Sequence, residues 1–295
     1  MTNEREYYIE SPNNNLAKSG VEYLTSRAST RGACTASAHI HESIEFLYIT
    51  EGSFDIFVDD EEFIASAGDL VMFRSNSIHR IYSASDGKSS YLVFKIKPSV
   101  LLELADPDRG ATYVMRFVLT GVKAKTLWKK EELDDSPILD CVNALVREIS
   151  TSEPVHDVAV KTAMVSLLVS ILRDDAKNGS TALLSAVNFS SAHQIYKAMN
   201  YINKNYAKSI TVADCAAAVS MSYSYFSRTF KEITGKSFKN YLTEIRINHA
   251  EREILLTDKS ITEISFECGF NDVSYFISQY KAARGKTPHR FRREL

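Results

Sequence analysis

The chain has 295 residues, enough for two domains, and its 44% apolar and 24% charged residues exclude a disordered or collagen-like polymer. No apolar run nears the roughly 18 residues that span a bilayer, and the first fifteen residues are polar and charged, so a soluble, cytoplasmic protein with no membrane partner is expected. The net charge of −2 conceals a division: from residue 192 onward 16 Lys and Arg stand against 10 Asp and Glu, so a basic, polyanion-binding module is joined to an acidic remainder. Cys34, Cys141, Cys215 and Cys268 lie far apart with no Cys-x-x-Cys pair, which argues against a disulfide framework or a thiolate zinc site and for buried, reduced thiols.

From about residue 20 to 97 the apolar pattern has period two, in short stretches broken by Gly, Asp, Ser and Asn. Ile44, Phe46 and Tyr48 alternate with Glu45, Leu47 and Ile49; Phe54, Ile56 and Val58 follow Gly52; Leu70 to Phe73 follow Gly68-Asp69; Tyr91 to Ile96 close the series. Many short strands at this spacing predict a β-sandwich or barrel. The acidic run Asp59-Asp60-Glu61-Glu62 reads as a solvated hairpin turn. Ser136-Pro137 then reads as an N-cap with proline in the first turn, and Ile138, Val142, Leu145, Val146 and Ile149 recur at helical spacing. A second helix is expected from about Asp157 to Arg173. Its apolar residues from Val160 to Leu172 cover more than one face, so it is expected to pack on the barrel and to leave a methyl-rich surface for a homodimer. Residues 176–191 are small and polar and read as an interdomain linker.

The last hundred residues hold an internal repeat. Tyr225-Phe226, Phe230-Lys231, Gly235-Lys236 and Ser237 recur fifty residues later as Tyr275-Phe276, Tyr280-Lys281, Gly285-Lys286 and Thr287. In the first copy Thr211 caps a helix through Val219, Ser220-Met221 turn the chain, and Ser222 caps a second helix that buries Tyr225, Phe226 and Phe230. In the second copy Ser260 caps Ile261 to Cys268, Gly269 stops it, and Asp272 starts the next helix. Each copy is a helix-turn-helix, and a helix of this kind fits the DNA major groove. Helical spacing leaves Ser222, Tyr223, Ser224, Ser227, Arg228 and Lys231 outward in the first copy, and Asp272, Val273, Ser274, Ile277, Ser278 and Lys281 in the second. Arg228 suits guanine, while Val273 and Ile277 suit thymine methyls, so the second copy is expected to contribute less base-specific affinity. The bland alternative is a helical protein-interaction module; duplication, basic charge and capped second helices favour double-stranded DNA.

Gly269-Phe270, Tyr275-Phe276, Tyr280-Lys281, Gly285-Lys286-Thr287-Pro288 and Phe291-Arg292 resemble the signature of the AraC/XylS family of bacterial transcription regulators over about residues 192–295. Ser265 stands where that family usually has Ala, and its hydroxyl is expected to bond back to the preceding turn. The resemblance implies two helix-turn-helix units held by a linking helix, here about Phe238 to Leu256, reading successive major grooves. It also implies an N-terminal effector and dimerisation domain, with RNA polymerase as a partner.

His39, His41, Glu45 and Gly52 have a spacing similar to the first cupin motif. Gly68 to His79 has the length of the second, with Arg74 and Asn76 where cupins usually place Pro and Gly. Period two puts His39, His41 and Glu45 on one strand face with Leu47, pointing into the barrel, and His79 arrives from another strand. Such a set can bind a divalent transition metal, or can hydrogen-bond a polar effector with no cofactor. The expected fold class is α+β: a cupin-like barrel with dimerisation helices over 1–175, a linker over 176–191 and a tandem helix-turn-helix domain over 192–295. The expected function is sequence-specific transcription regulation, as an activator, in response to a small molecule such as a sugar and without catalysis. A metal-dependent cupin enzyme fused to a DNA-binding domain is the alternative.

Overall fold

The computed structural model describes residues 20–58, 61–105, 107–119, 125–150, 154–178 and 189–293. The first 19 residues, Asp59 and Asp60 of the acidic run, and positions 179–188 of the expected linker lie outside them. The described residues fall into two compact units, one over 20–178 and one over 189–293.

The first unit begins with β1 (Val21–Ala28), β2 (Cys34–His39), β3 (Ile44–Glu51), β4 (Ser53–Val58), β5 (Glu61–Ser66), β6 (Leu70–Phe73), β7 (His79–Ser83) and β8 (Ser89–Ile96). With β9 (Leu127–Trp128) they form two antiparallel sheets, ordered β1-β8-β3-β6-β9 and β2-β7-β4-β5. The inner faces meet in a core that includes Leu47, Ile49, Phe54, Ile56, Phe73, Tyr91 and Val93. Where the other face is wet, period two is visible: β4 buries Phe54, Ile56 and Val58 and half-exposes the residues between. Along β3 and β6 the expected alternation does not separate inside from outside. Ile44 to Leu47 and Leu70 to Phe73 are all buried, as in strands covered on both faces.

The covering layer comes from the helices that follow, α1 (Pro98–Leu104), α2 (Pro107–Val118), α3 (Lys130–Leu133), α4 (Pro137–Ser150) and α5 (His156–Lys177). α5 packs on β1 and on α4, and the Ser75 amide after β6 donates to the Phe117 carbonyl of α2. Ser136 caps α4 as expected, its hydroxyl accepting the Leu139 amide at 3.2 Å. On α5, Val160, Met164, Leu167, Leu168 and Ile171 are fully buried. These five are covered within their own unit, where α5 packs on α4 and β1, while Val165, Val169 and Leu172 of the same helix are half-buried. A buried Arg116–Asp175 ion pair and a bond from Trp128 Nε1–H to Asp174 (3.2 Å) tie the end of α5 to α2 and β9.

The second unit is all helix: α6 (Phe189–Asn205), α7 (Val212–Ala218), α8 (Tyr223–Thr234), α9 (Phe238–Leu256), α10 (Ile261–Glu267), α11 (Val273–Arg284) and α12 (Pro288–Arg293). Its sequence repeat is a structural repeat. Seven-residue α7 and α10 start from capping boxes, Thr211 with Asp214 and Ser260 with Glu263. Twelve-residue α8 and α11 end at Gly235 and Gly285 with φ of 72° and 71°. The turn after α10 requires glycine. At Gly269 φ is 86°, and a β-carbon would lie 2.8 Å from the Tyr206 carbonyl oxygen and 2.9 Å from that of Ala207.

Three expectations are corrected here. Phe226, Phe230 and Ile233 form the buried stripe of α8, but Tyr225 is exposed. It flanks the stripe by one residue, about 100° around the helix, and its hydroxyl bonds that of Ser191 at 2.9 Å. Ser265 is fully buried and its hydroxyl has no hydrogen-bond partner, so the expected back-bond is not made. Cys34, on a sheet edge, is exposed and Cys141 half-buried, while Cys215 and Cys268 are buried.

Candidate functional site

Each expected reading set shares one helix. On α8 Tyr223, Ser224, Arg228 and Lys231 are exposed and Ser227 is half-buried; on α11 Ser274, Ser278 and Lys281 are exposed, with Val273 and Ile277 half-buried. Ser222 and Asp272 are occupied as caps: the Ser222 hydroxyl accepts the Tyr225 amide at 3.4 Å, and the Asp272 carboxylate accepts the Tyr275 amide at 2.6 Å. The Arg228 guanidinium stands 5.5 Å above the Tyr225 ring and 3.9 Å from the Glu232 carboxylate. Both partners are exposed, so the side chain is weakly held and can turn to a stronger anion. Tyr225 on α8 and Tyr275 on α11 are also exposed, and the ammonium of Lys239, on α9, is 5.8 Å from the Tyr275 ring.

In the first unit His39, His41, Glu45 and His79 come together, with ligand atoms all within 4.8 Å of one another. They do not share one strand face, as period two suggested. His39 ends β2, His41 lies in the turn, and Glu45 is on β3, so the chain bend between the two sheets does what the pleat was expected to do. His79 on β7 stands opposite His39, and Glu45 stands opposite Phe73 of β6 and Lys95 of β8. Asn76 explains a departure from the cupin pattern. Its φ of 62° is the left-handed conformation a glycine would supply, which Asn tolerates, and its amide donates to the His41 carbonyl at 2.8 Å.

All three rings are oriented alike. Nδ1 of His39, His41 and His79 lies 2.8, 3.0 and 3.2 Å from the carbonyls of Ser37, Ser43 and Ser77. A carbonyl only accepts, so the proton sits on Nδ1 and the Nε2 lone pair is left for the cluster. The Phe73 ring stacks on His79 at 4.0 Å. Burial pushes the His79 pKa down to about 3, with His39 adding to the effect, and burial also lowers that of His39. Burial alone would raise the Glu45 pKa, but the contacts with His41 and His79, and after them the charge of Lys95, outweigh it and hold the carboxyl well below its usual range.

The fit to a cation rests on an orphaned atom. His79 Nε2 is buried without a hydrogen bond, 3.5 Å from Glu45 Oε2, so two lone-pair carriers face each other. His41 Nε2 is 2.6 Å from the same oxygen, a contact that needs a proton or a metal between them. Lys95, absent from the expected site, also reaches Glu45 Oε2, at 3.2 Å. Its signal in the sequence is a lone lysine between Phe94 and Ile96.

A helix-turn-helix domain profile matches residues 215–294 and a cupin domain profile matches residues 30–95. The uncharacterized HTH-type transcriptional regulator YdeC of Bacillus subtilis is 22% identical over 256 residues, covering 85% of this chain and 84% of that protein. An uncharacterized HTH-type regulator from the cgkA 5' region of Pseudoalteromonas carrageenovora is 37% identical over 99 residues, 34% of this chain and 58% of its own length. The crystal structure of ToxT from Vibrio cholerae aligns over 94% of this chain and 99% of that one, at 15% identity and a TM-score of 0.49. A cupin match over residues 30–95 followed by a helix-turn-helix match over residues 215–294 is the domain order expected of an AraC/XylS-like regulator, which this chain resembles.

Proposed function

We propose that the chain is a one-component activator of transcription: α8 and α11 read successive major grooves, and the cupin-like unit senses a small molecule. The observation that supports DNA reading most is the pair of capped twelve-residue helices that present Arg228, Lys231 and Lys281 to solvent. Arg228 is assigned to a base edge, Lys231 to phosphate, and α11 to a smaller share of specificity through Val273 and Ile277. RNA polymerase and a second copy of the chain complete the proposed partners. The effector acts by binding one arrangement of the regulator better than another, and so changes which half-sites are engaged together.

Duplex binding should weaken steeply with salt, each phosphate contact adding about −0.9 to the slope of log K against log salt. Arg228→Ala should cost about 1 to 3 kcal/mol at the preferred site and relax one base position, whereas Lys231→Ala should weaken all sequences alike. A flat salt slope, or equal loss across a randomised library for Arg228→Ala, would refute this assignment.

A second reading concerns His39, His41, Glu45 and His79. Their fixed tautomers and the orphaned His79 Nε2 suit a divalent transition metal, which these side chains would hold and which would supply a Lewis-acid position for the effector. An effector reaches the cluster from His41, whose side chain keeps 20% of its surface exposed against 3% for Glu45. Elemental analysis of protein purified without a metal-affinity tag, with His41→Ala as control, tests this reading. Turnover of an organic substrate by the loaded protein, lost in His41→Ala, would favour the enzyme alternative.

A further inference from the structure

The second reading helix lacks positive charge at the end that would enter a groove. On α8 the N-cap is the neutral Ser222, and the Arg228 guanidinium stands 5.5 Å over the Tyr225 ring. At the matching positions α11 has Asp272 as its N-cap and Ser278 in place of Arg228, so its first two turns hold no cation behind an acidic cap. Such an end repels a polyanion.

The repeat nonetheless puts a cation over the matching tyrosine, and that cation comes from another element. Lys239, in the first turn of α9, has its Nζ 5.8 Å from the Tyr275 ring centroid. Tyr275 lies in the first turn of α11 and is 38% exposed, so the ammonium stands beside the end of the helix that meets a major groove. It is also uncommitted. Lys239 is exposed and makes no ion pair among the described residues, whereas Lys236 is 2.5 Å from Glu244, and Lys259 is 3.1 Å from Glu253 and 2.7 Å from Glu267. The helix dipole disfavours a cation in a first turn, so Lys239 does not serve α9 itself.

Resting on the DNA reading proposed above, we infer that Lys239 is a backbone contact of the second unit: the linking helix lends α11 the cation that its own first turns lack. An ammonium is a compact point charge, and this one arrives from outside the reading helix, so it takes a phosphate oxygen at the groove edge and not a base. Base reading in the second unit stays with Val273 and Ile277.

The test uses the full chain and a duplex carrying the site it selects from a randomised library. Lys239→Ala should make the slope of log K against log salt shallower by about 0.9, the share of one phosphate, and weaken all sequences alike by about three- to tenfold. Lys239→Arg should restore both. In an ethylation-interference footprint, one phosphate whose ethylation blocks the unmodified chain should cease to matter for Lys239→Ala. An unchanged slope in natively folded Lys239→Ala, or a loss confined to one base position, overturns the contact, while a steep slope for the unmodified chain keeps the DNA reading. If the unmodified chain selects no site or binds duplex with a flat slope, the DNA reading fails and this contact with it.

Discussion

Ser265 and His249 carry polar groups in places that apolar ones would fill at lower cost. The Ser265 hydroxyl, buried in α10 without a partner, has lost its water and gained nothing in exchange. Ser265→Ala should therefore stabilise the helical unit by about 1 kcal/mol, measured by urea unfolding. A loss of stability would show that the hydroxyl has a partner after all. His249 on α9 stacks on Tyr206 at 3.8 Å; burial, then the charge of Arg252, push its pKa down to about 4. Between the ordinary histidine pKa and that value the unfolded chain binds the extra proton. Stability is thus present above about pH 6.5 and falls with acidification, by up to about 1.4 kcal/mol per pH unit. His249→Phe should flatten this slope between pH 6.5 and 4; an unchanged slope would assign it to other groups.

At the scale of elements, caps and periodicity predicted α7 to α11 closely because both signals are local. Thr211, Ser222, Ser260 and Asp272 each satisfy amides of their own first turn, and Gly235, Gly269 and Gly285 adopt conformations that other residues resist. α5 is a different case, since its apolar residues state only that something covers them. In the fold that cover is α4 and β1 of the same unit. Leu168→Glu should consequently unfold the sensing unit rather than dissociate a dimer, costing about 3 kcal/mol or more for a charge forced into a packed site. Thermal unfolding combined with light scattering distinguishes these outcomes, and a natively stable monomer would return this face to the interface.

For the whole molecule, the proposed division into a sensing domain (1–175), a linker (176–191) and a reading domain (192–295) predicts separable functions, although α5 continues to Lys177 and α6 already starts at Phe189, which shortens the linker at both ends. A fragment beginning at Val187 should fold, bind the same DNA with the same salt slope, and lose every response to effector or metal; failure to fold, or a retained response, would show that the division is misplaced. The sequence by itself determined the tandem helix-turn-helix, the linking helix and the period-two barrel, because dihedral preference, capping and burial periodicity are properties of neighbouring residues. It also indicated His39, His41, Glu45 and His79 through their spacing. Only the tertiary structure decided that His41 enters from a turn, that Tyr225 and Cys34 are exposed, and that Lys95 shares an oxygen of Glu45 with two histidines. Those outcomes depend on strand register and on which layer covers which face. Both are set by contacts between segments tens of residues apart, whose partners no local pattern names.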